Sequence, residues 1–116
     1  MALRILNQTK NIVLATCAEV ADTEHKRMRG LLDKASLAPG EGLVIPKCHN
    51  IHTVGMRFPI DVLYVDKVGK VLFMFSGLTP GFKTNMAVDQ GETVLELPSG
   101  MAQSTEVGDQ LVFHRL

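Results

Sequence analysis

A chain of 116 residues that is 46% hydrophobic is long enough for one core burying roughly two-thirds of its unfolded surface, so a single domain over residues 1–116 is expected. Twelve Lys and Arg balance twelve Asp and Glu, for a formal net charge of zero. That excludes a general electrostatic pull toward nucleic acid or anionic lipid, and neither is expected as a partner. No apolar run approaches a membrane span, and the N-terminus turns polar at Arg4, Asn7 and Gln8 before a signal-type apolar stretch can form. The chain therefore reads as cytoplasmic.

Leu3–Leu6 and Ile12–Cys17 read as two short strands, with Asn7-Gln8-Thr9-Lys10-Asn11 as the loop between them. A helix follows. Asp22 or Thr23 can cap it, Glu24 suits its positive end, and Arg27 and Arg29 lie nearer its negative end. Met28, Leu31 and Leu32 have the spacing of one apolar face. Gly30 interrupts that pattern, either for a close backbone approach or because the helix ends there. Lys26, Arg27 and Arg29, flanked by Asp22, Glu24 and Asp33, read as a solvated face.

Gly42–Ile45 is a short strand stopped by Pro46. Ile60–Asp66 is nearly all apolar, which predicts burial on both faces. Lys67-Val68-Gly69-Lys70 turns it into Val71–Phe75, the clearest hairpin in the chain. Ser76–Gly91 reads as loop. Thr93–Leu97 is a strand ended by Pro98, Ser99 can cap a short helical turn, and Val107-Gly108-Asp109 turns into Gln110–His114. Closely spaced strands with Gly and Pro turns favour antiparallel pairing over alternating strand–helix units. The expected fold is mainly β (α+β), a small antiparallel barrel-like or folded sheet with one helix packed across it.

The segment Pro46–Asp61 concentrates the polar chemistry. It carries Cys48, His49, His52, Thr53, Arg57 and Asp61 just ahead of a buried strand, and such groups near a core need partners or water. Cys48 and His52, four apart, share one face of a helix or one side of a strand. That spacing suits a metal site with His49 or Asp61, or a thiol–imidazole nucleophile pair. A structural zinc site needs a second ligand pair, which the chain lacks outside the separate Cys17 and His114. No cofactor is therefore expected. The alternative reading of Cys48 and His52 is a small buried thiol beside a hydrogen-bonded core histidine. Asp61 opens an otherwise apolar strand, so its carboxylate must face solvent, a cavity, or a donor such as Arg57, Thr53 or a backbone N–H. Pro59 argues against a helix joining Arg57 to Asp61. Met56, Phe58, Met74 and Phe75 suit core filling better than a cavity lining. Cys17 and Cys48 permit one disulfide at most, and free thiols are expected in a reducing compartment.

Four blocks of the chain resemble the domain of unknown function 192 family of bacteria and archaea. They are Ala21-Asp22-Thr23 through Arg27, Gly30 and Leu31; Gly42 through His52-Thr53; Met56-Arg57-Phe58-Pro59-Ile60-Asp61 on to Asp66 and Gly69-Lys70; and Val94 through Gly100 with Val107-Gly108-Asp109. The Pro-Ile-Asp strand with its Asp-x-x-Gly-Lys turn is the most specific. The resemblance implies a compact, mostly β, barrel-like domain with one helix, and it implies no activity. Cys48, Ile51, His52 and Thr53 look like the family's Cys-x-x-Ile-His-Thr branch. In its commoner form a Trp stands near His52, so the resemblance gives His52 no family-wide ligand role. Pro59 and Asp61 match both forms. Gly55 stands where the branch has an aromatic.

No complete catalytic set is present in the sequence. The leading expectation is a small-ligand-binding or accessory domain with a polar pocket near Cys48, His52, Thr53, Arg57 and Asp61. A metal- or thiol-dependent hydrolase using Cys48 and His52, and a structural or protein-interaction domain, are the alternatives.

Overall fold

The structure, a computed structural model, describes residues 1–47, 53–81 and 93–116. Among these residues the chain forms seven strands and one helix. The strands are β1 (Ala2–Asn7), β2 (Ile12–Val20), β3 (Glu41–Pro46), β4 (Ile60–Val65), β5 (Val71–Leu78), β6 (Thr93–Pro98) and β7 (Leu111–Arg115); the helix is α1 (Glu24–Arg29). The strands lie in one sheet in the order β5-β4-β6-β3-β2-β1-β7. No helix among the described residues is long and apolar enough to cross a membrane.

The hairpin β4–β5 forms as its sequence predicts, because Asp66 builds the turn. Its Oδ1 accepts the backbone N–H groups of Val68 at 3.0 Å and Lys70 at 2.9 Å, an Asp side chain standing in for a backbone acceptor. Gly69 then takes φ = +88°, a left-handed backbone that glycine adopts without steric cost. The sheet curls until its outermost strands meet. Lys70 and Gln110 form an isolated antiparallel bridge. Beside it the Leu111 N–H donates to the Gly69 carbonyl at 2.9 Å, and the Val71 N–H donates to the Asp109 carbonyl at 2.9 Å. This seam converts an open sheet into a barrel-like half-barrel and protects the edges of β5 and β7.

A Cβ on Gly69 would lie 2.5 Å from the Leu111 carbonyl oxygen across that seam. Gly69→Ala is therefore expected to lower stability by roughly 2–4 kcal/mol, from left-handed strain plus the clash. Urea denaturation checks this, and an unchanged midpoint would show that the seam does not constrain the fold.

The sheet has two apolar faces. All seven strands contribute to the inner one, where Ile5, Leu14, Val44, Leu63, Val65, Val71, Leu95, Leu97 and Leu111 are buried together. The outer face of β3, β4 and β6 carries Leu43, Ile45, Ile60, Val62, Tyr64 and Val94, covered by Ala21, Leu31 and Met56. Each of β4's six residues is buried, which explains its continuous apolar run. Met56, Phe58 and Phe75 belong to the outer cluster and Met74 packs against the inner one, so all four fill core. Tyr64, Phe73 and Phe75 pack edge to face, with centroids 5.1–6.5 Å apart.

Three expectations about local structure need correction. β2 and β3 pair in parallel, with Cys17 opposite Glu41 and Val20 opposite Val44. The connection through α1 is a strand–helix–strand crossover inside a sheet whose other ladders are antiparallel. A parallel pair needs such a crossover of a dozen or more residues, and residues 21–40 supply it. The helix is also shorter than its apolar spacing implies. Thr23 caps it by accepting from the Lys26 N–H at 3.1 Å, and Gly30 ends it at φ = +53°. No residue of α1 is buried, and Met28 is 72% exposed. Leu31 enters the outer cluster from the turn after the helix, so the turn does the packing that the helix was expected to do. After β6, residues 99–104 form successive turns where Ser99 was expected to cap a short helical turn.

The turn before β7 does more than reverse the chain. Asp109 is buried and accepts from Asn7 Nδ2 at 2.9 Å, from the Glu106 N–H at 2.9 Å and from Lys10 Nζ at 2.9 Å. Asn7 Nδ2 also reaches Thr105 Oγ1 at 3.0 Å. The Asn7 hydrogen bond above all, with the Glu106 amide and Lys10, holds the Asp109 carboxyl down at about 2 against the cost of burial. This network ties the β1–β2 loop to the far end of the chain.

Candidate functional site

The sequence-predicted residues occupy different places. Cys48, His49 and His52 lie outside the described residues. Thr53 is buried, and its Oγ1 donates to the Thr79 carbonyl at 2.7 Å. Its own carbonyl accepts from the N–H groups of Met56 at 3.1 Å and Gly81 at 3.0 Å. Thr53 thus pins the strand of chain entering β4 to the segment leaving β5. Arg57 is exposed.

Asp61 is fully buried. Its Oδ1 accepts the Gly77 N–H at 2.8 Å, and its Oδ2 accepts the N–H groups of Gly100 at 3.0 Å and Ala102 at 2.9 Å. The donors are backbone amides, not Arg57. They come from an irregular stretch of β5, where the pairing with β4 shifts between Ile60 and Val62, and from the turn after β6. Asp61 alternates with the outward-facing Ile60 and Val62, so its carboxylate faces inward. There the 99–102 turn closes one end of the barrel with Met101 and Ala102 against the inner core. A carboxylate holding amides from two separate segments is an anchor for that end.

Sequence reasoning passed over Glu96. In β6, Leu95 and Leu97 point into the inner cluster, and Glu96 points to the opposite face. Its strand neighbours are Leu43 on β3 and Val62 on β4, both in the outer cluster. The residue is only 4% exposed. Among the described residues no hydrogen bond reaches its carboxylate, and burial pushes its pKa up to about 7. The signal was present in Val94-Leu95-Glu96-Leu97-Pro98: one acid in an apolar strand. Alternation alone would put that acid on a wet face. Only the cover over the outer face of the sheet makes it a buried acid.

Among the described residues the barrel end opposite Asp61 is open. The N-terminal ends of β1 and β6 and the C-terminal ends of β2, β3 and β4 surround a cavity of about 790 Å³ there. Leu3, Val20, Val44, Val65, Leu111 and Phe113 line its wall, continuing the inner core toward solvent. Its polar lining includes Asp22, Arg27, Lys47, Asp66, Lys67 and Gln110. Asp22 is engaged by Lys26 Nζ at 3.2 Å, which holds its carboxyl below the usual range, and Asp66 serves its own turn. Lys47, which follows Pro46 at the end of β3, has φ = +56°. A non-glycine residue in that region stores about 1–2 kcal/mol of strain, a feature concentrated at functional positions. Among the described residues no three His, Cys, Asp or Glu side chains come together in a way that could hold a metal ion.

The family model for DUF192, described as "Uncharacterized ACR", matches residues 5–113, almost the whole fold just described. The chain belongs to the DUF192 family. Two solved structures share its architecture. A protein of unknown function from Novosphingobium aromaticivorans is 20% identical, with a TM-score of 0.80 over 97% of this chain and 84% of that one. A candidate transcription regulator from Sinorhizobium meliloti is 18% identical, with a TM-score of 0.81 over 97% of this chain and 92% of its own. At these identities the likeness establishes the barrel-like fold alone. No curated protein matches the chain. For this DUF192 domain, the parts of the motif seen in the structure have architectural roles. Asp61 anchors one barrel end, Asp66 and Gly69 make the seam turn, and Asp109 ties down the last strand.

Proposed function

We propose that this DUF192 domain binds a small molecule, and that the ligand occupies the open end of the barrel. The observation that carries the reading is the cavity of about 790 Å³. It falls in the range of small-ligand sites, roughly 300–1,000 Å³, and barrel mouths are a recurrent place for them. An apolar wall with a few polar groups at the rim is the usual composition of such a site. Thr53, Arg57 and Asp61, with Cys48 and His52 in the same stretch of sequence, were the expected pocket. The buried amide contacts of Asp61 support placing the ligand at the other end, because its carboxylate oxygens are already occupied.

A thermal-shift screen across sugars, nucleotides, organic acids, metal ions and amphiphiles tests the proposal. At least one class is expected to raise the melting temperature of the wild type. Leu3→Trp and Phe113→Trp, which enlarge half-buried side chains on the cavity wall, are expected to abolish that rise. A rise that survives in both variants would move the site elsewhere, and no rise with any class would overturn ligand binding.

A further inference from the structure

Resting on that reading, we infer that the ligand class is an anionic amphiphile, with an alkyl or acyl chain in the barrel mouth and a carboxylate or phosphate head among Arg27, Lys47 and Lys67. The wall of the cavity selects the tail. Half-buried Leu3 and Phe113, backed by the buried Val44 and Val65, offer apolar side chains with no hydrogen-bonding groups, so a sugar resting against them would lose water without replacement. An alkyl chain loses nothing and is removed from water.

The rim selects the head. Its charged side chains are three cations and two carboxylates. Lys26 engages one carboxylate, and the amides of Val68 and Lys70 occupy an oxygen of the other. Among the described residues Arg27, Lys47 and Lys67 have no ion pair or hydrogen bond through their side chains. With Asp22 balanced by Lys26, the three cations face only the single charge of Asp66, so the mouth is net positive although the chain is neutral overall. A cationic head would meet three like charges, while an anionic one would meet three donors, one of them the planar fork of Arg27. The left-handed backbone of Lys47 fixes where one of these donors starts. The cations come from three separate elements: the helix of the β2–β3 crossover, the end of β3 and the seam turn. Only the folded chain gathers them.

Isothermal titration with four probes of equal tail, each below its micelle concentration, tests the inference: decanoate, decyl phosphate, decanol and decyltrimethylammonium. Decanoate or decyl phosphate is expected to bind at least about tenfold more tightly than decanol and decyltrimethylammonium; which of the two is tighter separates a carboxylate head from a phosphate one. The double variant Lys47→Glu/Lys67→Glu changes two exposed side chains. It is expected to keep the ligand-free melting temperature, to weaken the anionic probes at least about tenfold, and to leave decanol unchanged. Equal binding of decanol and the anions, or undiminished anion binding by the double variant, would overturn the inference while leaving the cavity as the site. So would a failure of every alkyl probe when another class in the broader screen binds and is blocked by Leu3→Trp. If nothing binds in either experiment, both readings fall.

Discussion

Asp61→Ala is expected to destabilise the DUF192 fold by about 3–5 kcal/mol, the cost of leaving three buried amides without an acceptor. The carboxylate is fully buried and takes the N–H groups of Gly77, Gly100 and Ala102 at 2.8–3.0 Å. Two of those donors belong to the turn that closes the barrel end, and the third to an irregular stretch of β5, so none has a ladder partner to fall back on. Asp61→Asn keeps one acceptor oxygen but turns an N–H donor toward the remaining amides, and it is expected to lose a large part of the same stability. Urea denaturation of the three proteins, with unchanged dependence on denaturant, measures the effect. A wild-type midpoint for Asp61→Ala would remove the anchoring role. Because the cavity lies at the other end of β4, any ligand response should follow the folded fraction and not the carboxylate itself.

Glu96 is expected to make the protein less stable as the pH rises from about 4.5 toward and past about 7. Its carboxyl titrates near 4.5 in the unfolded chain and is pushed up to about 7 when buried between Leu43 and Val62. Within that window the native state holds a proton that the unfolded state has released, so stability declines with rising pH. The stabilising contribution is complete below pH 4.5 and is lost as the pH passes through the folded pKa. The shift corresponds to about 3 kcal/mol between the two limits. Glu96→Gln removes the titration. The difference in unfolding free energy between Glu96→Gln and wild type should therefore grow by that amount in favour of the variant from pH 4 to pH 8. Parallel pH profiles for the two proteins would show that the acid is not buried in its charged form's least favourable place. Asp109 has the opposite sign. Held at about 2 by Asn7, Glu106 and Lys10, it stabilises the fold above the ordinary carboxylate range and loses that effect only as the pH falls toward 2.

Local chemistry was legible where neighbours in sequence remain neighbours in space. The β4–β5 hairpin, its Asp-x-x-Gly-Lys turn, the Thr23 cap, the strand stop at Pro98 and the mainly β class with one helix all follow from alternation, turn residues and capping over a few positions. The family was legible too, because its motifs are the residues that make those turns and anchors. The sequence also pointed to Asp61 as a carboxylate at the edge of the core that must find donors. It did not say which, since Gly77, Gly100 and Ala102 are 16, 39 and 41 positions away. Such partners are set by chain closure, which periodicity does not encode.

Tertiary structure alone decided the rest. β6 inserts between β4 and β3, and β2 and β3 run parallel, so Glu96 lies buried on a face that alternation would leave wet. The helix buries nothing, because Gly30 ends it before Leu31 and the apolar spacing crosses a turn. The curl of the sheet joins Lys70 to Gln110 at the seam and leaves the other strand ends around a cavity. Arg27, Lys47 and Lys67, scattered among ordinary surface charges in the sequence, meet there. A charge's neighbours across a barrel mouth depend on strand order and sheet curvature, and both arise from burying two apolar faces at once rather than from any local run of residues.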